Sequence, residues 1–140
     1  MPDSVDERTR SDIMRRVKSS GTKPEMQVRR ALHAAGYRYR LHRRDLPGSP
    51  DLVLARYRLV VFVHGCFWHW HGCKRSRMPG ANRDYWEAKL ARNVARDQRV
   101  GTELDALGWE QLVIWECELE QGIIAVMARL RAMSGGDGNR

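Results

Sequence analysis

The segment from His64 to Cys73 constrains this chain more than any other, because it places two cysteines and three histidines within ten positions. Thiol and imidazole groups at this density are the usual ligands of a transition metal of borderline softness. Cys66, His71 and Cys73 can point at one centre from a tight loop, and Cys117 is the remaining cysteine. A closed Cys₃His set predicts a structural zinc site. The alternative is that the cysteines pack as small apolar side chains and the histidines lie on the surface, because the spacing is not that of a standard zinc-finger knuckle.

Cysteine count and charge limit the class of protein. Three cysteines are an odd number, and the N-terminal region lacks the apolar centre of a signal peptide, so we expect no disulfide framework and a cytoplasmic location. No apolar run approaches the roughly 18 to 20 residues that span a bilayer. The 25 Lys and Arg against 17 Asp and Glu give a net charge of +8. This surplus indicates a polyanionic partner such as nucleic acid, with a merely soluble basic protein as the alternative.

The length of 140 residues predicts one domain. We place it at residues 9–133, with a loosely ordered segment at 1–8 and a disordered tail at 134–140. Periodicity and turn residues predict an α/β chain in the order α-β-β-β-α-β-α, preceded by a short basic helix at 12–18. The predicted elements are a helix from an N-cap at Thr22 to Gly36, strands at 37–42, 51–54 and 59–63, a helix from Asn82 or Asp84 to Gly108, a strand at 111–115 and a final helix around 123–130.

The same patterns predict which side chains face the core. Leu41 continues the alternation of apolar and basic residues that begins at Tyr37, which is typical of a strand with one solvated face. Leu107 ends the apolar stripe of the long helix. We also assign Trp109 and Trp115 to the core.

One aspartate and two histidines outside the cysteine set could carry catalysis. His64 and His69 flank the first cysteine of the loop, where imidazole groups can transfer protons near neutral pH, although a lone histidine is more often a core or surface residue. Asp51 follows Pro50 at the start of a strand whose partner ends at His64, so the two side chains can approach each other. A hard cation such as Mg²⁺ needs such a carboxylate together with phosphate oxygens and water. On its own, Asp51 also fits a turn residue or a solvated charge.

Together with several other motifs, these residues resemble one family of nucleases. The motifs are the run Phe62 to Cys73, Thr22-x-x-Glu25, Leu46-Pro47-Gly48-x-Pro50-Asp51, Trp86, Asn93-Val94-x-Arg96-Asp97 and Trp115-Glu116-Cys117. From Thr9 to about Leu130 the chain is similar to the very-short-patch-repair (Vsr) DNA mismatch endonucleases. The resemblance implies a restriction-endonuclease-like core, with a mixed β-sheet flanked by helices and a structural zinc loop.

The resemblance also implies an activity. Enzymes of this family nick one strand 5′ to the T of a T:G mismatch left by deamination of 5-methylcytosine, which starts very short patch repair. Asp51 matches a carboxylate that binds Mg²⁺, with two ions expected, and Val63 could add its backbone carbonyl. His69 matches the general base that activates water.

Three further residues match active-site positions of the family. Glu25 matches a carboxylate that orients the histidine base, while His64 and Asp97 match accessory positions near the phosphate. Spacing alone leaves other roles open. Glu25 could serve only a capping box with Thr22, and Asp97 could be a solvated charge on a helix.

The remaining implied roles are metal binding and DNA binding. Zn²⁺ would have the ligand set already chosen from the cysteine count: Cys66, His71, Cys73 and Cys117. An aromatic wedge would insert beside the mismatch, although Trp86 also fits core packing; its members are Phe67, Trp68 and Trp86. An N-terminal segment would contact phosphates or a groove through Met14, Arg15, Arg16 and Lys18. We expect a monomer that acts on double-stranded DNA, with mismatch-repair proteins as further partners and no membrane contact.

Two features depart from the family pattern. Val63 stands where the resemblance leads us to expect a threonine, and Trp70 and Gly72 stand in place of histidines. Neither change removes a predicted zinc ligand, but both bear on the preferred flanking sequence. Two alternatives to a mismatch-specific enzyme are a less selective DNA nickase of the same fold and a non-catalytic, zinc-stabilised DNA-binding module.

Overall fold

The computed structural model describes residues 22–73 and 78–135. The predicted helix at 12–18 lies outside the described residues, as do the predicted DNA contacts Met14, Arg15, Arg16 and Lys18. The described helices and strands are, in chain order, α1 (Lys23–Ala34), β1 (Arg40–Leu41), β2 (Leu52–Leu54), β3 (Leu59–His64), α2 (Arg83–Ala106), β4 (Glu110–Trp115) and α3 (Leu119–Gly135). Short 3₁₀ turns at Ala55–Tyr57 and Glu116–Glu118 follow β2 and β4.

The strands form one mixed sheet in the order β1-β2-β3-β4. β1 and β2 are antiparallel, as are β2 and β3, whereas β3 and β4 run parallel. The parallel pair sets Leu59 opposite Glu110 and His64 opposite Trp115. Both strands of this pair therefore end at the same edge of the sheet, and the loops that follow them leave side by side.

Alternate side chains of β3 supply two separate cores, one on each face of the sheet. Leu59 and Val61 pack with residues of α1 and α3, including Val28 and Leu130. Val60 and Phe62 pack on the opposite face, in a cluster that Leu104 of α2, Leu46 and Trp109 complete. Because both faces are covered by helices, β3 is a continuous apolar run. The prediction of a mixed sheet flanked by helices is confirmed.

Helix α1 begins where the sequence predicts. The hydroxyl of Thr22 accepts a hydrogen bond from the backbone N–H of Glu25 at 3.3 Å, and Pro24 lies in the first turn. This cap satisfies one of the otherwise unpaired amide groups at the helix start. Glu25 is thereby fixed on the buried face of the helix.

Three expectations from periodicity differ from the structure. The first strand spans only Arg40–Leu41 rather than 37–42, and Leu41 is 38% exposed because it lies on the sheet edge. Leu107 is 52% exposed because it caps the C-terminus of α2, where the chain turns away from the core. Helix α3 extends to Gly135, two residues into the segment assigned to the tail. Among the described residues, no helix is long and apolar enough to cross a membrane.

Gly48 gives a prediction about stability. Its φ of +76° lies in the left-handed region, and an added Cβ would lie 2.6 Å from Cγ1 of Val100 on α2. Gly36 has a φ of +88° with nothing within 4 Å of such a Cβ, so it is a matched control for the backbone cost alone. We expect Gly48→Ala to lower the free energy of unfolding by about 1–3 kcal/mol more than Gly36→Ala, measured by urea unfolding. An equal decrease in the free energy of unfolding for the two variants would contradict the close packing of Gly48 on α2.

Candidate active site

The four predicted metal ligands come together at the shared edge of β3 and β4. Cys66 and Cys117 each lie two residues beyond the paired positions His64 and Trp115. Ligand atoms of the cluster lie within 4.8 Å of one another, and Sγ of Cys117 is 3.4 Å from Nδ1 of His71. This arrangement could hold a metal ion through Cys66, His71, Cys73 and Cys117.

Neighbouring groups hold this cluster in place. The ring of His71 stacks on Trp115, with centroids 4.0 Å apart and planes 4° apart. The sequence predicts that Trp115 belongs to the core. In the structure it is partly buried and supports the Cys/His cluster instead. The backbone N–H of Cys66 donates to Oε1 of Glu116 at 3.1 Å. Burial raises the pKa of the Cys66 thiol to about 12, so a cation is needed to stabilise its thiolate near neutral pH.

A second group lies beside the cluster and consists of His64, His69 and Asp97. Asp97 on α2 contacts Nδ1 of His69 at 2.6 Å. The rings of His64 and His69 are stacked, with centroids 3.6 Å apart and planes 1° apart. Burial, then the charge of His69, lowers the pKa of His64 to about 4. His64 is therefore neutral near pH 7 and adds no positive charge beside His69.

A third group joins Glu25, His42 and Asp51. Oδ2 of Asp51 accepts a hydrogen bond from the backbone N–H of Val63 at 2.7 Å. Oε2 of Glu25 lies 3.0 Å from Nε2 of His42, and Oδ1 of Asp51 lies 3.7 Å from Nδ1 of the same ring. The pKa of Asp51 is raised to about 6, mainly by burial; the hydrogen bond from Val63 opposes this rise, and the negative charge of Glu25 adds to it.

One cavity of about 940 Å³ contains both histidine–carboxylate groups. Its walls include all five predicted catalytic residues, which are Glu25, Asp51, His64, His69 and Asp97, together with the basic residues Arg44 and Arg96. The carboxylate that contacts His69 differs from the one implied by the family resemblance. Asp97, and not Glu25, contacts His69, while Glu25 contacts His42 and Arg29.

Sequence reasoning missed His42, which it treated as a residue on the solvated face of a strand. Its backbone N–H donates to the carbonyl of Asp51 at 3.2 Å, directly beyond the paired residues Leu41 and Leu52. An antiparallel pairing of these two segments would have predicted that His42 lies opposite Asp51. The missing information was the register of a two-residue strand, which periodicity does not give.

Three aromatic side chains form a partly exposed cluster, and two of them line the cavity. Phe67 lies 5.1 Å from Trp68 and 5.4 Å from Trp86 in edge-to-face contacts, and the two tryptophans are 6.0 Å apart. Phe67 and Trp68 line the cavity. Nδ2 of Asn93 on α2 donates to the carbonyl of Trp68 at 2.9 Å, which ties the loop to the helix. Trp86 is partly buried, and it extends the cluster to Tyr85, which is 56% exposed.

Comparisons with known proteins point to one family. A family model described as DNA mismatch endonuclease Vsr matches residues 2–75. The Type II nicking enzyme V.XorIIP of Xanthomonas oryzae pv. oryzae is 50% identical over 94% of this chain and 96% of its own length. The Type II nicking enzyme V.NmeAIP of Neisseria meningitidis serogroup A is 44% identical over 82% of each chain. The DNA mismatch endonuclease Vsr of Escherichia coli K12 is 40% identical over 85% of this chain and 76% of its own length.

The raised pKa of Asp51 gives a prediction about titration. In Mg²⁺-free protein, carbon NMR of the side-chain carboxyl is expected to give a pKa of about 6 for Asp51 and a lower value in Glu25→Gln. A pKa raised by folding means that this group stabilises the fold most at or below its ordinary value of 3.8, and that the contribution is lost as the pH rises through about 6. Asp45, whose pKa a hydrogen bond from Arg43 lowers, is the internal comparison. Titration of Asp51 at or below Asp45 would contradict the buried environment.

Proposed function

The chain belongs to the Vsr family of DNA mismatch endonucleases, and we propose that it nicks one strand of double-stranded DNA 5′ to the T of a T:G mismatch. Such mismatches arise from deamination of 5-methylcytosine, and the nick would start very short patch repair. The observation that carries this proposal is the single cavity shared by Asp51 and the His69–Asp97 pair, with aromatic side chains in its lining. The relatives named as nicking enzymes support cleavage of one strand.

Asp51 is the proposed Mg²⁺ ligand, with the backbone carbonyl of Val63 as a second oxygen and two ions expected. These two groups suit Mg²⁺, because carboxylate and carbonyl oxygens are the ligands that this ion prefers. The hydrogen bond from Val63 fixes one oxygen of Asp51 and leaves the other facing His42 in the cavity. Bound Mg²⁺ would supply charge neutralisation at the scissile phosphate and the leaving oxygen.

His69 is the proposed general base. Its contact with Asp97 favours the tautomer with the proton on Nδ1, which leaves the Nε2 lone pair free to take a proton from water. The carboxylate of Asp97 also stabilises the imidazolium that forms. Asp97 therefore takes the orienting role that the resemblance gave to Glu25. His64, neutral and stacked on His69, holds the ring in place and faces the cavity.

Cys66, His71, Cys73 and Cys117 are the proposed ligands of one structural Zn²⁺. Three sulfurs and one nitrogen would supply all four ligands of such an ion and leave no position for substrate, which is typical of structural zinc. Because the same loop carries His69 and the aromatic cluster, such an ion would hold the base and the DNA-contacting side chains in one rigid arrangement.

Phe67, Trp68 and Trp86 are the proposed wedge at the mismatch. Inserting aromatic rings costs a few kcal/mol of base unstacking, and a mispaired step is easier to open than a Watson–Crick step. The wedge would therefore contribute to selection of the lesion.

The net charge of +8 supports binding to DNA phosphates. Further proposed DNA contacts are Met14, Arg15, Arg16 and Lys18. The proposed enzyme is a monomer.

A less selective nickase is the second candidate, because Val63 lacks a hydroxyl and Trp70 is 38% exposed near the proposed wedge. A non-catalytic DNA-binding module is disfavoured by the His69–Asp97 pair, since binding alone does not require an oriented imidazole in a cavity.

Asp51→Asn tests the proposal in a nicking assay with Mg²⁺ on a T:G duplex and its T:A control. We expect the native protein to nick the T:G duplex preferentially and the variant to lose at least about a hundredfold in rate, since several kcal/mol of charge stabilisation are removed. Asp84→Asn is the matched control, because Asp84 is exposed in the first turn of α2 and should leave the rate unchanged.

Two results would contradict different parts of the proposal. Equal nicking of the two duplexes by native protein would refute mismatch specificity and favour the less selective nickase. Undiminished nicking by Asp51→Asn would refute the assigned metal site.

A further inference from the structure

The imidazole of His42 lies inside the cavity with one ring nitrogen facing each of two carboxylates. Nε2 is 3.0 Å from Oε2 of Glu25, and Nδ1 is 3.7 Å from Oδ1 of Asp51. His42 also has a φ of +48°, in the left-handed region that is strained for a residue with a side chain. A strained backbone that aims a side chain into a cavity is a common feature of functional sites.

The contact with Glu25 determines which nitrogen of His42 carries the proton. The side chain of Glu25 is only 2% exposed, and its Oε2 accepts a hydrogen bond from Arg29, so this oxygen acts as a hydrogen-bond acceptor toward its neighbours. Arg29 lies 3.4 Å from Nε2, farther than the carboxylate oxygen does. The closer partner favours Nε2–H donating to Glu25, and the neutral ring then has its lone pair on Nδ1.

That lone pair faces an oxygen of Asp51 across a gap. At 3.7 Å, Nδ1 and Oδ1 are too far apart for a hydrogen bond. Two ligands that each lie about 2.1 Å from one cation are separated by about 3.0 Å at a right angle and about 4.2 Å when opposite. The observed gap falls within this range. A histidine that binds a metal through one nitrogen almost always donates its other N–H to a carboxylate or carbonyl, as His42 does to Glu25.

We propose that Nδ1 of His42 is a further ligand of the divalent cation held by Asp51, and that Glu25 is the carboxylate that orients this histidine. The inference rests on the metal site of the proposed function and specifies its chemistry. An imidazole nitrogen favours first-row transition ions over Mg²⁺, which prefers oxygen ligands. The site therefore binds Mn²⁺ more tightly than Mg²⁺.

Pulsed electron paramagnetic resonance of Mn²⁺ bound to the folded protein without DNA tests this inference, because it detects a directly bound nitrogen independently of activity. We expect nitrogen coupling to Mn²⁺ in the native protein and its loss in His42→Gln, with Mn²⁺ affinity lower by about tenfold or more. Glu25→Gln should keep the coupling and lower the affinity. His33→Gln is the matched control, since His33 is exposed in the last turn of α1 and should change neither readout.

Several outcomes would overturn the assignment. One is Mn²⁺ that does not bind, and another is bound Mn²⁺ without nitrogen coupling. A third is coupling that His69→Gln abolishes while His42→Gln retains it. Failure of the His42 assignment is distinguishable from failure of the proposed function. If the protein nicks T:G DNA with Mg²⁺ but shows no nitrogen coupling to Mn²⁺, only the role of His42 is overturned. Nitrogen coupling in a protein that does not nick DNA supports His42 as a ligand and counts against the nicking proposal.

Discussion

The parallel pairing of β3 with β4 is the constraint on which the rest of the site depends. It sets His64 opposite Trp115, so that both chains leave the sheet at one edge and Cys66 and Cys117 follow as neighbours. A loop rich in glycine, histidine and aromatic residues has little core of its own. A metal ion bound at the two ends of this loop could make it rigid. The stacking of His71 on Trp115 connects the Cys/His cluster to the end of β4.

Helices packed on the two faces of the sheet both contribute side chains to the cavity. Helix α1, packed on one face, supplies Glu25, and helix α2, packed on the other, supplies Asp97. Each carboxylate contacts a histidine that comes from the sheet edge, His42 in one case and His69 in the other. The cavity therefore contains two oriented imidazoles with different neighbours, one beside Asp51 and one beside the neutral His64. This difference is the physical basis for assigning one to metal binding and the other to proton transfer.

Local sequence patterns predicted most elements and the cysteine set but not the pairings between distant segments. The Thr22 cap, the buried run of β3 and the grouping of Cys66, His71, Cys73 and Cys117 follow from short-range rules and residue chemistry. The contact between Asp97 and His69 spans 28 positions and depends on how α2 crosses the sheet. His42 was overlooked for the same reason, since its role depends on the register of β1. Leu41 and Leu107 were misassigned because periodicity does not show where an element ends.

The central proposal is that a zinc ion held by Cys66, His71, Cys73 and Cys117 would organise the catalytic side of the molecule and not its core. The most direct measurement is the nicking rate on a T:G duplex at constant Mg²⁺ as zinc is progressively removed, with helix content followed by circular dichroism. The account predicts that nicking falls in proportion to the zinc lost while most helix content remains, because the two apolar clusters do not include the proposed zinc ligands. A zinc-free protein that nicks at the full rate would contradict it.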